Sequence, residues 1–163
     1  MQKFTQKYTI IQLFEDLPVG TQFSSSDWPL HATLVDTFAI DWDVDTMIAK
    51  LKEHASKLSS AQTKVMDDTH FGPNGEVQVA LLEKTDDLLM LHNELIKLLE
   101  QGDLKLNDPQ FAKDGFLPHS TVQKHARVNK GNHLTFDSLT LIDMFPDEDP
   151  YQRKVLATIK IGK

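Results

Sequence analysis

Apolar residues recur with a helical period in two stretches of this chain, and the segments around them read as strand or turn. Val44, Met47, Ile48, Leu51, Ala55 and Leu58 recur three or four residues apart, with Met47 and Ile48 adjacent, which places them on one face of a helix over Val44 to Leu58. Leu88, Leu91, Leu95, Leu98 and Leu99 form a similar stripe within Asp86 to Gln101. Asp43 and Thr85 stand where N-caps belong, and Gly102 stands where a helix stops. Strands are expected over Lys7 to Phe14, Leu30 to Ile40, Gln62 to Asp67, Glu76 to Glu83, Phe116 to Gln123, Leu134 to Met144 and Arg153 to Ile161. Gly20 to Pro29 and Pro146 to Pro150 read as loops, and Pro73-Asn74-Gly75 as a turn. The order of strands, helix, strands, helix, strands predicts an α+β fold with helices on mainly antiparallel sheet.

A chain of 163 residues suits one domain spanning 1–163. The formal charge of −7 argues against wrapping a long duplex, which requires many phosphates to be neutralised, yet leaves room for one or two phosphates at a locally positive site. No apolar run is long enough to span a bilayer, so no membrane partner is expected. Met1 to Phe14 mixes charges and glutamine with short apolar pieces, which fits a first strand and not a signal peptide. Cysteine is absent, which excludes disulfides and thiolate metal sites and fits a reducing cytoplasm. No Walker-type loop and no His-Glu-x-x-His occur, so triphosphatase and zinc-protease readings have no support.

Three of the seven histidines share one pattern. His31 begins His-Ala-Thr-Leu, His119 begins His-Ser-Thr-Val and His133 begins His-Leu-Thr-Phe. With 13 threonines in the chain, roughly half a His-x-Thr is expected by chance, so the excess is modest. The chemistry is the better argument. Positions i and i+2 of a strand point to the same face, which sets an imidazole beside a hydroxyl. The imidazole exchanges a proton near neutral pH, and the hydroxyl donates to a phosphate oxygen. Two such strands facing one cleft supply a base for the nucleophile, an acid for the leaving oxygen and donors for the developing charge, with no metal required. The competing reading of each motif is the polar face of a half-buried sheet.

His-Ala-Thr-Leu at 31–34 and Pro-His-Ser-Thr-Val at 118–122 resemble the paired signatures of the two-histidine (2H) phosphoesterase superfamily, whose members include bacterial RNA 2′,3′-cyclic phosphodiesterases, also called 2′–5′ RNA ligase-like proteins. The resemblance runs over nearly the whole chain. It implies two pseudo-symmetric lobes around a central cleft, with one motif from each. It also implies that His31 and His119 are the catalytic pair and that Thr33 and Thr121 bind phosphate; the two-histidine chemistry itself calls for no cofactor or metal. His133 then falls at the start of another strand, where Leu134 and Phe136 alternate inward and leave it on the polar face. Lys124 stands five residues after His119, where the family often carries a basic residue; phosphate contact and a solvated surface lysine are the two readings. Val35-Asp36-Thr37-Phe38 departs from the aromatic-Leu-Gly run that many members have after the first motif, which bears on the subfamily.

The expected substrate is a 2′,3′-cyclic phosphate end of RNA, an RNA 3′-end or a related small cyclic or 2′–5′-linked nucleotide, handled by a monomer. Hydrolysis of cyclic oligonucleotide signals, and non-catalytic binding of a nucleotide or RNA end, are the rivals. Lys124, His125, Arg127, Lys130 and His133 form a short basic stretch that reads either as a guide for a nucleic-acid end or as a polar hairpin. Phe23, Trp28, Phe71 and Phe116 are candidates either to stack a base or to pack in the core. His54 and His92 are expected to be structural or exposed, and for His70 the sequence leaves a place in the cleft open.

Overall fold

The computed structural model describes residues 6–162, so the first five residues of the segment expected as an opening strand lie outside the described part. Ten strands and two helices follow in the order β1 (Tyr8–Leu13), β2 (Gln22–Ser24), β3 (His31–Ala39), α1 (Val44–Ala55), β4 (Ala61–Phe71), β5 (Val77–Leu82), α2 (Asp86–Glu100), β6 (Lys105–Leu106), β7 (His119–Thr121), β8 (His133–Phe136), β9 (Ser138–Asp143) and β10 (Gln152–Lys160). They make a six-stranded sheet, β2-β10-β9-β1-β3-β6, and a four-stranded sheet, β7-β5-β4-β8. The strand pairs are antiparallel. This is the expected α+β fold.

Both helices start where their caps are. The Asp43 carboxylate accepts from the Thr46 N–H at 2.7 Å, and the Thr85 hydroxyl accepts from the Leu88 N–H at 3.2 Å. Each such cap is worth about 1 kcal/mol. Met47, Leu51 and Ala55 of α1 and Leu88, Leu95 and Leu99 of α2 are fully buried, in one core cluster with Ile10, Leu34 and Phe38 of the larger sheet and Val65 and Ala80 of the smaller. The helix stripes therefore join the two sheets. A smaller cluster of Ile11, Ile142 and Val155, with Phe23 and Trp28 packed on it, covers the other face of the larger sheet.

Three local expectations change. Gly20 to Pro29 contains β2, which pairs with the start of β10 through Phe23 and Arg153. Leu134 to Met144 is two strands: Phe136 pairs with Ala61 in the smaller sheet and Ser138 with Lys160 in the larger. The chain changes sheets at Asp137, where the buried Gln12 side-chain oxygen accepts from the N–H groups of both Asp137 and Ser138. Gly102 ends α2 through space and not through a left-handed backbone. A Cβ there would lie 2.6 Å from the Trp42 ring, and the positive φ falls on the next residue, Asp103, at 64°.

Candidate active site

The two motif strands come from different sheets and meet edge to edge. β3 brings His31 and Thr33 to one face and buries Ala32 and Leu34 on the other. β7 brings His119 and Thr121 to one face and buries Ser120 between them. β7 ends the smaller sheet, with β5 on one side, so its other edge is free to meet β3. There the Ser120 hydroxyl donates to the His31 carbonyl at 2.8 Å. That bond fixes the register of one motif on the other.

Each imidazole is tied back in the same way. His31 Nδ1 lies 2.8 Å from the Pro29 carbonyl, and His119 Nδ1 lies 2.8 Å from the Leu117 carbonyl. A carbonyl only accepts, so each Nδ1 carries the proton and each Nε2 keeps its lone pair when the ring is neutral. An aromatic ring backs each one. Trp28 lies tilted on His31 at 4.9 Å between ring centres, and Phe71 meets His119 edge to face at 4.8 Å.

Burial is the main cause that holds the His31 pKa below the ordinary histidine value, and a charged His119 pushes the same way. The Pro29 carbonyl and the Glu15 carboxylate work against it. Glu15 is itself held below the usual carboxylate range, first by the Leu30 N–H, which donates to it at 2.6 Å, and also by His125 at 2.7 Å and by His31. Leu30 lies between Pro29 and His31, and His125 lies four residues beyond Thr121. One carboxylate thus anchors the backbone before the first motif and the loop after the second.

Beside His119 opens a cavity of about 230 Å³, lined by Thr33, Asp36, Phe71, His92, Phe111, Phe116, Leu117 and His119. Plain alternation along β3 would put Asp36 on the face opposite His31 and Thr33. Two irregularities in the pairing with β1 change this: Ile11 faces Thr33 while Ile10 faces Val35, and Tyr8 faces Phe38. Leu34 and Val35 are both buried in succession, and Asp36 emerges exposed on the cavity side. The carbonyls at this bulge are satisfied from outside the ladder. The Thr9 hydroxyl donates to the Val35 carbonyl at 2.7 Å, and His92 Nδ1 donates to the Leu34 carbonyl at 2.6 Å. His92 Nε2 accepts from the Lys113 N–H at 3.0 Å, and its ring stacks flat on Phe116 with centres 4.0 Å apart. This buried histidine is neutral and satisfied at both nitrogens, and burial is the main cause that lowers its pKa.

The model of the 2′–5′ RNA ligase superfamily matches residues 15–144, which include both motifs and most of the strands around them. The chain belongs to this superfamily. Solved structures share the fold at low identity. TT0787 of Thermus thermophilus is 16% identical, with 96% of this chain and 99% of that one covered at a TM-score of 0.59. LigT of E. coli complexed with NADP+ is 14% identical, with coverage of 97% and 98% and a TM-score of 0.55; its complex with 3′-AMP gives 0.53 at the same identity. No curated protein matches the sequence significantly. Membership of the superfamily supports a phosphoesterase- or ligase-like enzyme.

The other residues singled out from the sequence of this superfamily member fall in different places. Lys124 is exposed on the segment after β7. The basic stretch around it is folded against acidic partners: Arg127 makes a two-pronged pair with Asp68 at 2.6 and 3.0 Å, Lys130 reaches Asp67 at 2.7 Å, and His125 reaches Glu15. Most of that charge is spent on holding the loop, as a polar hairpin would. His133 is exposed on β8, three strand spacings from β7, or roughly 14 Å across the sheet. His70 is exposed near the end of β4, and His54 lies half-buried on α1, 3.5 Å from Glu94. Phe116 is core, whereas Phe23 packs on Trp28. Sequence reasoning did not single out Glu15, Ser120, or the contributions of Asp36 and His92. Only Asp36 left a signal, as the departure from the family's run after the first motif.

Proposed function

We propose that this chain is a phosphoesterase that opens 2′,3′-cyclic phosphates at RNA ends, or related cyclic or 2′–5′-linked nucleotides, by acid–base catalysis between His31 and His119. The observation that carries the reading is the Ser120–His31 hydrogen bond, which sets the two motifs side by side with both Nδ1 atoms tied back. In the hydrolytic direction, neutral His31 takes a proton from water through Nε2 as the water oxygen bonds to phosphorus. His119, charged, gives its Nε2 proton to the ribose oxygen as the P–O bond breaks, which leaves a phosphomonoester and a free hydroxyl. The depressed pKa of His31 favours it as the base. Thr33 and Thr121 donate to the non-bridging oxygens, and Lys124 supplies positive charge at the mouth. The substrate is a small nucleotide or an RNA 3′-end, and the working unit is a monomer.

Turnover of a panel of nucleoside 2′,3′-cyclic phosphates and 2′–5′ dinucleotides tests this. Wild type is expected to convert at least one class, and His31→Ala and His119→Ala to lose roughly two to four orders of magnitude each while still folded. Tight binding without turnover would replace the enzyme by a binding module, and full activity of either variant would refute the pair.

A further inference from the structure

We propose that the cavity beside His119 is a nucleobase subsite that selects guanine through Asp36. The inference rests on the phosphoryl-transfer reading for what attaches to the base, but its own evidence is the cavity. At about 230 Å³ it is smaller than the roughly 300–1,000 Å³ of sites for drug-sized ligands, which fits one base and not a dinucleotide. Its walls are aromatic and aliphatic. Phe111 and Leu117 are 47% and 43% exposed at its edge, where they can meet a ligand ring. Planar bases stack on such surfaces.

The polar groups in the cavity divide by role. Thr33 and His119 belong to the phosphate end. His92 has both ring nitrogens engaged and offers the cavity only carbon. Asp36 remains. It accepts the Thr37 N–H at 2.9 Å through one oxygen, which leaves its second oxygen and further lone pairs open. A carboxylate repels phosphate and accepts hydrogen bonds without donating any. The base that suits it presents adjacent donors and no acceptor between them. Guanine does so through N1–H and the 2-amino group. Adenine and cytosine offer one amino group beside a ring acceptor, and uracil offers one N–H between two carbonyls. Asp36 is also held in place by construction: the bulge that turns it to this side is kept by Thr9 and by His92 of α2.

The test is calorimetric titration of the whole chain with 3′-GMP, 3′-IMP, 3′-AMP, 3′-CMP and 3′-UMP, beside turnover of the matching 2′,3′-cyclic phosphates. Hydrogen bonds to a charged group predict that 3′-GMP binds about tenfold or more tighter than 3′-AMP, 3′-CMP and 3′-UMP, with 3′-IMP, which lacks the 2-amino group, between. Asp36→Asn should bring the bases to within a few-fold of one another, and Phe111→Ala should weaken them alike and keep their order. Equal affinity for the bases, no binding of any of them, or a guanine preference that survives Asp36→Asn would overturn the assignment. Guanine-selective binding without turnover would keep the subsite and remove the proposed reaction, whereas turnover blind to the base would do the reverse.

Discussion

Replacement of Ser120 by alanine separates the stability of the fold from the alignment of the site. Ser120 is 1% exposed, and its hydroxyl bridges β7 to the His31 carbonyl at 2.8 Å. Alanine fills nearly the same space, so no cavity forms, and the change is the lost hydrogen bond and a carbonyl deprived of a partner. Such a loss costs about 1–3 kcal/mol. For a chain of this size each kcal/mol is roughly 2–4 °C in melting temperature, so a fall of about 2–12 °C is expected, within reach of thermal unfolding followed by circular dichroism. The same bond is the strut between the two motif strands. A misplacement of about 1 Å between acid and base costs on the order of a hundredfold in rate, so kcat/KM at 25 °C, where the variant is still folded, should fall by about ten- to a hundredfold. KM for a cyclic phosphate should change less than kcat. If the melting temperature falls as expected while kcat/KM stays within twofold of wild type, the strut does not set the catalytic geometry, and the proposed function loses its main support.

Four further outcomes can be checked. The Glu15 carboxylate favours the charged form of His31, so Glu15→Gln, whose amide oxygen can still accept from the Leu30 N–H, should move the acid limb of the pH–rate profile to lower pH; an unmoved limb would remove Glu15 from the electrostatics of the site. His133→Ala should retain most activity, since β8 lies across the sheet from β7, and a loss equal to that of His119→Ala would overturn the choice of second motif. His92 has a depressed pKa in the fold, so its contribution to stability is complete above the unfolded value of about 6.5 and is lost as pH falls below it. Urea unfolding should show wild type weakening as pH falls below about 6.5, and His92→Phe, which strands the Leu34 carbonyl and the Lys113 N–H at a cost of roughly 2–5 kcal/mol, should flatten part of that slope. Turnover should survive EDTA, because the proposed chemistry uses proton transfer and hydroxyl donors; activity lost to chelator and restored by a divalent ion would contradict it.

What was legible in the sequence is what local chemistry fixes. The helices over Val44–Ala55 and Asp86–Glu100 follow from three-and-four spacing and from Asp43 and Thr85, whose side chains cap the backbone a few residues away. The His-x-Thr pattern likewise fixes that His31 shares a face with Thr33, and His119 with Thr121, because two residues is one strand repeat. The family was legible for the same reason, since its signatures are short and local. The features that required the tertiary structure depend on partners distant in the chain. Leu134 to Met144 reads as one strand, but Gln12 binds the backbone at Asp137 and sends the two halves into different sheets. The basic stretch reads as either a nucleic-acid guide or a polar hairpin, and it takes Asp68, Asp67 and Glu15 from elsewhere in the chain to neutralise most of it. Plain alternation along β3 would turn Asp36 away from His31, and only the shifted register against β1, with Thr9 and the α2 histidine His92 taking the displaced carbonyls, turns it into the cavity. A side chain's face is a local property while the ladder is regular. Once a bulge interrupts it, the face depends on which distant donors satisfy the backbone, and no local pattern in the sequence encodes that.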